Sequence, residues 1–196
     1  MEEKYQKRVK YIILFLAAFL IVFLISYFIK SPAKTASSEY NDFYVQKTQF
    51  GYKTMLYIGD AGPYYINTVY SPEDIENITI NFDIKKAVRN RQVYVAIDPF
   101  DVNLTGKTVV AAMELNNVIE PFFKVPVSSA FTKEKGNYTV RTCPPQNKSE
   151  AVFVLKLGSE AKILKTSNCI TLEAQTQEGL IREADAIVFK LLGITK

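Results

Sequence analysis

Apolar and polar positions alternate along this chain in more than one rhythm, and the first is no alternation at all. Residues 11–29 are nineteen uncharged positions in succession, with Ser26 their one Ser or Thr. As a helix rising 1.5 Å per residue they reach roughly 28 Å, close to the ~30 Å hydrocarbon core of a bilayer. Every face of that helix is apolar, which argues against a helix lying on a soluble core. The pattern predicts a single transmembrane helix, followed at 30–39 by a short polar spacer containing Pro32.

From residue 40 onward the rhythm is that of strands and amphipathic helices. Runs at 52–58 and 64–70 are rich in β-branched and aromatic residues and are separated by Gly59, Asp60, Ala61, Gly62 and Pro63, which predicts a hairpin. A short strand is expected at 77–82 and one helical turn at 84–88. The run Val93, Tyr94, Val95, Ala96, Ile97 is apolar at both parities and predicts a central strand covered on both faces, ending at Asp98 and Pro99. A helix capped by Thr105 or Asp101 and stopped by Pro121 follows, which would complete a strand-loop-helix unit. Strands are expected at 125–131, 138–142 and 151–157, and then at 161–165 and 169–173 as a meander around Thr166, Ser167 and Asn168. Leu180, Ile181, Ala184, Ile187, Val188, Leu191 and Leu192 recur at helical spacing, predicting a terminal helix that ends near Gly193, with Arg182, Glu183, Asp185 and Lys190 facing solvent.

The expected fold class is α/β, with a mixed α+β arrangement as its alternative: one transmembrane helix and one outer domain with a mixed sheet and two main helices. The domains read as a basic cytoplasmic tail at 1–10, the membrane helix at 11–29, the spacer at 30–39 and the outer domain at 40–196, a length that suits one core.

Charge assigns the orientation. Lys4, Lys7, Arg8 and Lys10 precede the apolar run while Lys30 and Lys34 follow it, so the positive-inside bias holds the N-terminus in the cytoplasm and exports the rest. The apolar run exceeds the 7–15 residues of a cleavable signal core, and Lys34 sits badly for cleavage after Ala36, so a retained signal-anchor is expected at the cell membrane. The whole chain carries a formal charge of +4, and most of it resides in the N-terminal segment. A nearly neutral outer domain has no stripe of Lys and Arg with which to displace counterions, so no nucleic acid partner is expected. Membrane lipid at 11–29 and an envelope protein or glycan are the partners expected instead.

Cys143 and Cys169 are the only cysteines, and histidine is absent. An even pair in an exported domain reads as a disulfide. Without histidine, no Ser-His-Asp or Cys-His nucleophile and no imidazole metal site can be built, and two thiols alone do not complete a zinc site. No cofactor and no metal are implied. Asn77, Asn103, Asn137 and Asn147 each begin an Asn-x-Ser/Thr acceptor, which makes a glycoprotein an expectation in the exported part. Thr105, Gly106, Lys107 and Thr108 resemble the end of a phosphate loop, but Asp101 stands where its first glycine is required, and a helix start is the better reading.

Asp98, beyond the carboxyl end of the central strand, lies where open α/β sheets bind ligands. With Asp101 and Glu114 it forms the candidate catalytic set, a carboxylate cluster for acid/base work, against the plainer reading of a turn and a helix cap. Twelve Tyr and thirteen Phe exceed what one core needs, and an exposed remainder would suit protein or glycan contact.

The order and spacing of Ile97-Asp98-Pro99, Cys143, Asn168-Cys169-Ile170-Thr171-Leu172, Ile181-Arg182-Glu183-Ala184-Asp185 and Leu191-Leu192-Gly193-Ile194 behind one N-terminal span resembles uncharacterised single-span extracytoplasmic proteins of small-genome archaea. The resemblance implies an envelope setting and brings no active site with it. The expected function is therefore a membrane-anchored, non-enzymatic interaction or assembly domain of the cell envelope; the alternative is an anchored enzyme working with carboxylates alone, such as a glycan hydrolase.

Overall fold

The computed structural model describes residues 2–29, 37–58, 61–145 and 147–195. They form two compact units, 1–36 and 37–196. The first is one helix, α1 (Glu2–Ile29), whose described side chains from Tyr11 to Ile25 are all exposed. Among the described residues no helix is long and apolar enough to cross a membrane. Of the span expected at 11–29, the side chains of Ile12 and of residues 26–29 lie outside those described. The described residues therefore do not support the expected span.

The second unit is a mixed α/β domain, but it holds two sheets where one was expected. Four antiparallel strands run in order: β1 (Ser37–Tyr40), β2 (Phe43–Thr48), β3 (Gly51–Ile58) and β4 (Ala61–Thr68). The β3–β4 hairpin matches the expected pair of runs. β1 begins inside the stretch read as spacer, whose residues 30–36 lie outside those described. Gly51 has φ +138°, and a Cβ there would run into the Thr68 carbonyl, so the turn between β2 and β3 requires glycine.

The second sheet has the order β6-β5-β7-β9-β8, built from β5 (Gln92–Ile97), β6 (Val127–Phe131), β7 (Glu150–Leu157), β8 (Lys162–Thr166) and β9 (Cys169–Ala174). β5 pairs in parallel with both β6 and β7, and β7 with β9; only β8 runs antiparallel, at the edge. β9 thus inserts between β7 and β8, which replaces the expected meander. The apolar strands end inside the sheet because both their faces are covered: Val93, Val95, Phe153 and Leu155 enter the main core, while Ala96, Val152 and Val154 pack with Cys169 and Tyr94 on the other side.

That second face is closed by the return segment 132–149, tied down by the Cys143–Cys169 disulfide (Cα–Cα 5.5 Å) and by Arg141, which stacks 4.3 Å over Tyr94 and pairs with Glu150 at 2.8 Å. The segment expected as a strand at 138–142 makes a single bridge, Phe131 to Val140. The strand expected at 77–82 is irregular as well, lying between short 3-10 turns at Glu73–Ile75 and Ile84–Arg89.

Helices α2 (Gly106–Phe123) and α3 (Gln177–Leu192) lie against the other face. Pro121 does not stop α2. A proline in the last turn removes one donor only, and the helix runs on until Lys124 adopts a left-handed φ of 58°, its N–H bonding the Glu120 carbonyl. α3 spans 16 residues and ends at Gly193, φ 76°, as the spacing predicts. Leu56 and Ile66 of the antiparallel sheet join the same core as both helices, so the helices are packed between the two sheets.

Candidate functional site

Two of the three candidate carboxylates are engaged in the turn after β5, and the third is buried on α2. Asp98 stands at the carboxyl end of β5 as expected, but its oxygens are engaged: Oδ2 accepts from Lys133 Nζ at 2.6 Å and Oδ1 from the Phe100 N–H at 3.0 Å. The Lys133 hydrogen bond, with the Phe100 N–H second, holds this carboxyl below its usual range. Asp101 folds its own loop by accepting from the Asn103 N–H at 3.0 Å. Glu114 is buried on α2, two turns inside the helix. Among the described residues no group of three acidic or thiol side chains is placed to hold a metal ion. Asp98 and Asp101 thus shape the turn after β5, where the Asp101 N–H bonds the Asp98 carbonyl at 3.3 Å, and Glu114 stands in the core.

The loop resembling a phosphate site is a helix start, and its cap comes from another helix. Thr105 makes no side-chain cap of its own. Gln177 Oε1, at the start of α3, instead accepts from the N–H and hydroxyl of Thr105 (2.9 and 3.1 Å) and from those of Thr108 (3.2 and 2.9 Å). Lys107 pairs with Glu178. Orphan donors that could have faced an anion are spent on the next helix.

Glu183 and Asp185, expected on the solvent side of α3, are 2% and 0% exposed. The one-sided pattern failed because α3 is covered twice, by β7 and β9 of the parallel sheet on one side and by Tyr70 and the 3-10 turns at Glu73–Ile75 and Ile84–Arg89 on the other. Asp185 Oδ2 accepts from the Tyr70 N–H at 2.8 Å, and its Oδ1 has no partner. Burial, then the nearby Glu114 carboxyl, pushes Asp185 well above the usual range, against the pull of the Tyr70 and Val69 N–H groups. Burial alone raises Glu114 to about 7. Burial also raises Glu183 to about 8; the Lys162 N–H opposes this, but neither Glu183 oxygen finds a partner of normal hydrogen-bond geometry. In all three, burial favours the neutral carboxyl over the charged one.

A groove of about 550 Å³ runs between the irregular segment 77–81 and edge strand β8, lined by Asn77, Ile78, Lys162, Leu164, Arg182 and Glu183. Arg182 is held in place by the Asp74 carbonyl at 2.5 Å and by the Tyr70 ring at 5.5 Å. The glutamate oxygens are sealed beneath the groove and do not face it as accessible groups.

The outward face of the antiparallel sheet is the other built surface. Its register sets Glu39 opposite Tyr44, Tyr44 opposite Met55 and Met55 opposite Tyr65, one row crossing all four strands. The inward row beside it, Val45, Thr54 and Ile66, is buried. Tyr44 and Tyr65 are 44% and 52% exposed, and Tyr57, whose hydroxyl lies 3.8 Å from Met55 Sδ, is 68% exposed. The next outward row is polar: Ser37, Gln46, Lys53 and Asn67. The sequence signal for this face was tyrosine and methionine at alternate positions, visible at Met55, Tyr57 and Tyr65, and at Tyr44 inside the short run Phe43-Tyr44-Val45, which no expected strand includes. All four acceptor asparagines, Asn77, Asn103, Asn137 and Asn147, are exposed.

No family model, no curated protein and no solved structure matches this chain.

Proposed function

We propose that this chain is a single-pass membrane protein, N-terminus in the cytoplasm, whose outer domain is a non-enzymatic interaction or assembly module of the cell envelope. The observation that carries the module is the outward face of the antiparallel sheet. A protein that only needed to fold would gain nothing from leaving Tyr44, Tyr57 and Tyr65 in water, and apolar rings grouped on one face are the surface a partner covers. The anchor is supported by the uncharged run at 11–29 and the basic residues before it. Export is supported by the Cys143–Cys169 disulfide, which persists in oxidising compartments, and by four exposed glycan acceptors.

Crosslinking in native membranes followed by mass spectrometry tests the module: neighbours should be attached reproducibly through the outer domain. Recovery of the chain by itself would count against it. Protease added to intact cells tests the topology, since it should trim the C-terminal part; a domain protected until lysis would reverse the orientation.

A further inference from the structure

The partner class can be read from the same face, and the inference rests on the interaction-module reading. We infer that the outward face of the antiparallel sheet binds an extended, uncharged polysaccharide strand, laid along the row Glu39–Tyr44–Met55–Tyr65.

Four strands at ~4.8 Å spacing make this row roughly 14 Å long, and Tyr44 and Tyr65, two strands apart, stand roughly 10 Å from each other. Two rings at that separation, on a flat sheet and with a thioether between them, suit alternate residues of an extended glycan. Each sugar ring can lay its C–H face on a tyrosine. Its hydroxyls then point sideways, and one pleat repeat away, about 7 Å along the strands, lies the row Gln46, Lys53 and Asn67. The Gln46 and Asn67 amides there can meet hydroxyls in either hydrogen-bonding sense, and the Lys53 ammonium can donate to them. At the other flank a shallow cavity of about 360 Å³ bounded by Glu39, Asp42, Phe43, Tyr44, Met55 and Tyr57 adds two acceptor carboxylates.

Charge and size select against other occupants. A cationic ligand would be repelled by the Lys53 ammonium, 4.3 Å over the Tyr65 ring, whereas a neutral sugar taking that face displaces it without charge repulsion. A nucleic acid or an anionic polymer would meet Glu39 and Asp42 at one end of the track. A second protein, including a second copy of this chain, needs about 800 Å² per partner around an apolar centre. Here the apolar centre consists of Tyr44, Met55, Tyr57 and Tyr65, bordered by Lys53 and Asp42.

Calorimetric titration of the full chain in detergent tests this with three probes: the β-1,4-linked hexaoses of glucose and of N-acetylglucosamine, and a high-mannose N-glycan oligosaccharide. At least one hexaose should bind, Tyr44→Ala and Tyr65→Ala should each weaken it by about tenfold, or ~1.4 kcal/mol, and Tyr65→Phe, which keeps the ring, should stay within about twofold. The melting temperatures of these surface variants should match the parent, which separates lost binding from lost fold. Binding of neither hexaose, equal binding by both alanine variants, or preference for the N-glycan would overturn the inference. If crosslinking still attaches protein neighbours when no hexaose binds, the polysaccharide inference fails while the interaction module stands.

Discussion

Gln177 caps a helix that is not its own: its Oε1 accepts from both the N–H and the hydroxyl of Thr108 in α2, at 3.2 and 2.9 Å. The first residue of α3 thereby fixes where α2 begins, and the two helices enter the core as one unit.

Gln177→Ala should cost about 1 kcal/mol, the usual loss of an N-cap, because the Thr105 and Thr108 N–H groups lose their shared acceptor. Gln177→Glu keeps the acceptor and places negative charge at a helix N-terminus, so it should equal or exceed the parent. Urea midpoints of the two variants check this. Equal destabilisation by both would contradict the capping role.

Stability should fall as pH rises through neutrality. Glu183 and Glu114 titrate near 8 and 7 in the folded state against an ordinary value of 4.5. Their favourable contribution is complete below about 4.5 and is lost progressively toward those higher values, at about 1.4 kcal/mol per pH unit for each group. Denaturation of the parent and of Glu183→Gln at pH 5, 7 and 8.5 measures the difference. The variant should gain on the parent with each step upward, and parallel pH profiles would refute a buried neutral Glu183.

Asp185 and Tyr70 offer a second readout of the same core. Asp185→Asn can still accept the Tyr70 N–H and no longer titrates, whereas Asp185→Ala leaves that buried donor without a partner at a cost of about 1–3 kcal/mol. Asparagine should therefore be the milder change at pH 7. Hydrogen exchange at Tyr70 should accelerate in the alanine variant alone.

The disulfide staples the second face of the parallel sheet. Closing a segment with a sequence separation of 26 should contribute about 3.5 kcal/mol by chain entropy, so reduction or Cys143→Ser should lower the thermal midpoint markedly. Thiol alkylation of the unreduced chain should label neither cysteine. Labelling of both would remove the bond from the native state.

Local signals carried most of the elements. Runs of β-branched and aromatic residues on either side of a Gly/Pro break located β3 and β4, the apolar runs located β5 and β7, and the spacing from Leu180 to Leu192 with Gly193 after it placed α3. In 37–48 the β-formers Phe43, Tyr44 and Val45 form too short a run among Ser, Asn, Asp, Gln and Lys to declare two strands, and β1 and β2 form because each has a neighbouring strand to pair with. The reverse error fell at 77–82, where Ile78 and Ile80 alternate as a strand would but no partner is within reach. Pairing is a property of two segments, and one segment cannot announce it.

What the sequence by itself determined was the uncharged run at 11–29, the exclusion of imidazole chemistry, the cysteine pair, and the type and extent of the elements whose own pattern is strong. What only the tertiary structure decided was which surfaces those elements hide. Glu183 and Asp185 look like the wet side of an amphipathic helix until a second layer covers α3, and Asp98 and Asp101 look like free carboxylates until the turn after β5 and Lys133 engage them. Tyr44, Met55 and Tyr65 become one row only when three strands align in register. Periodicity reports how a segment differs from one side to the other; burial and proximity depend on what the rest of the chain places against each side.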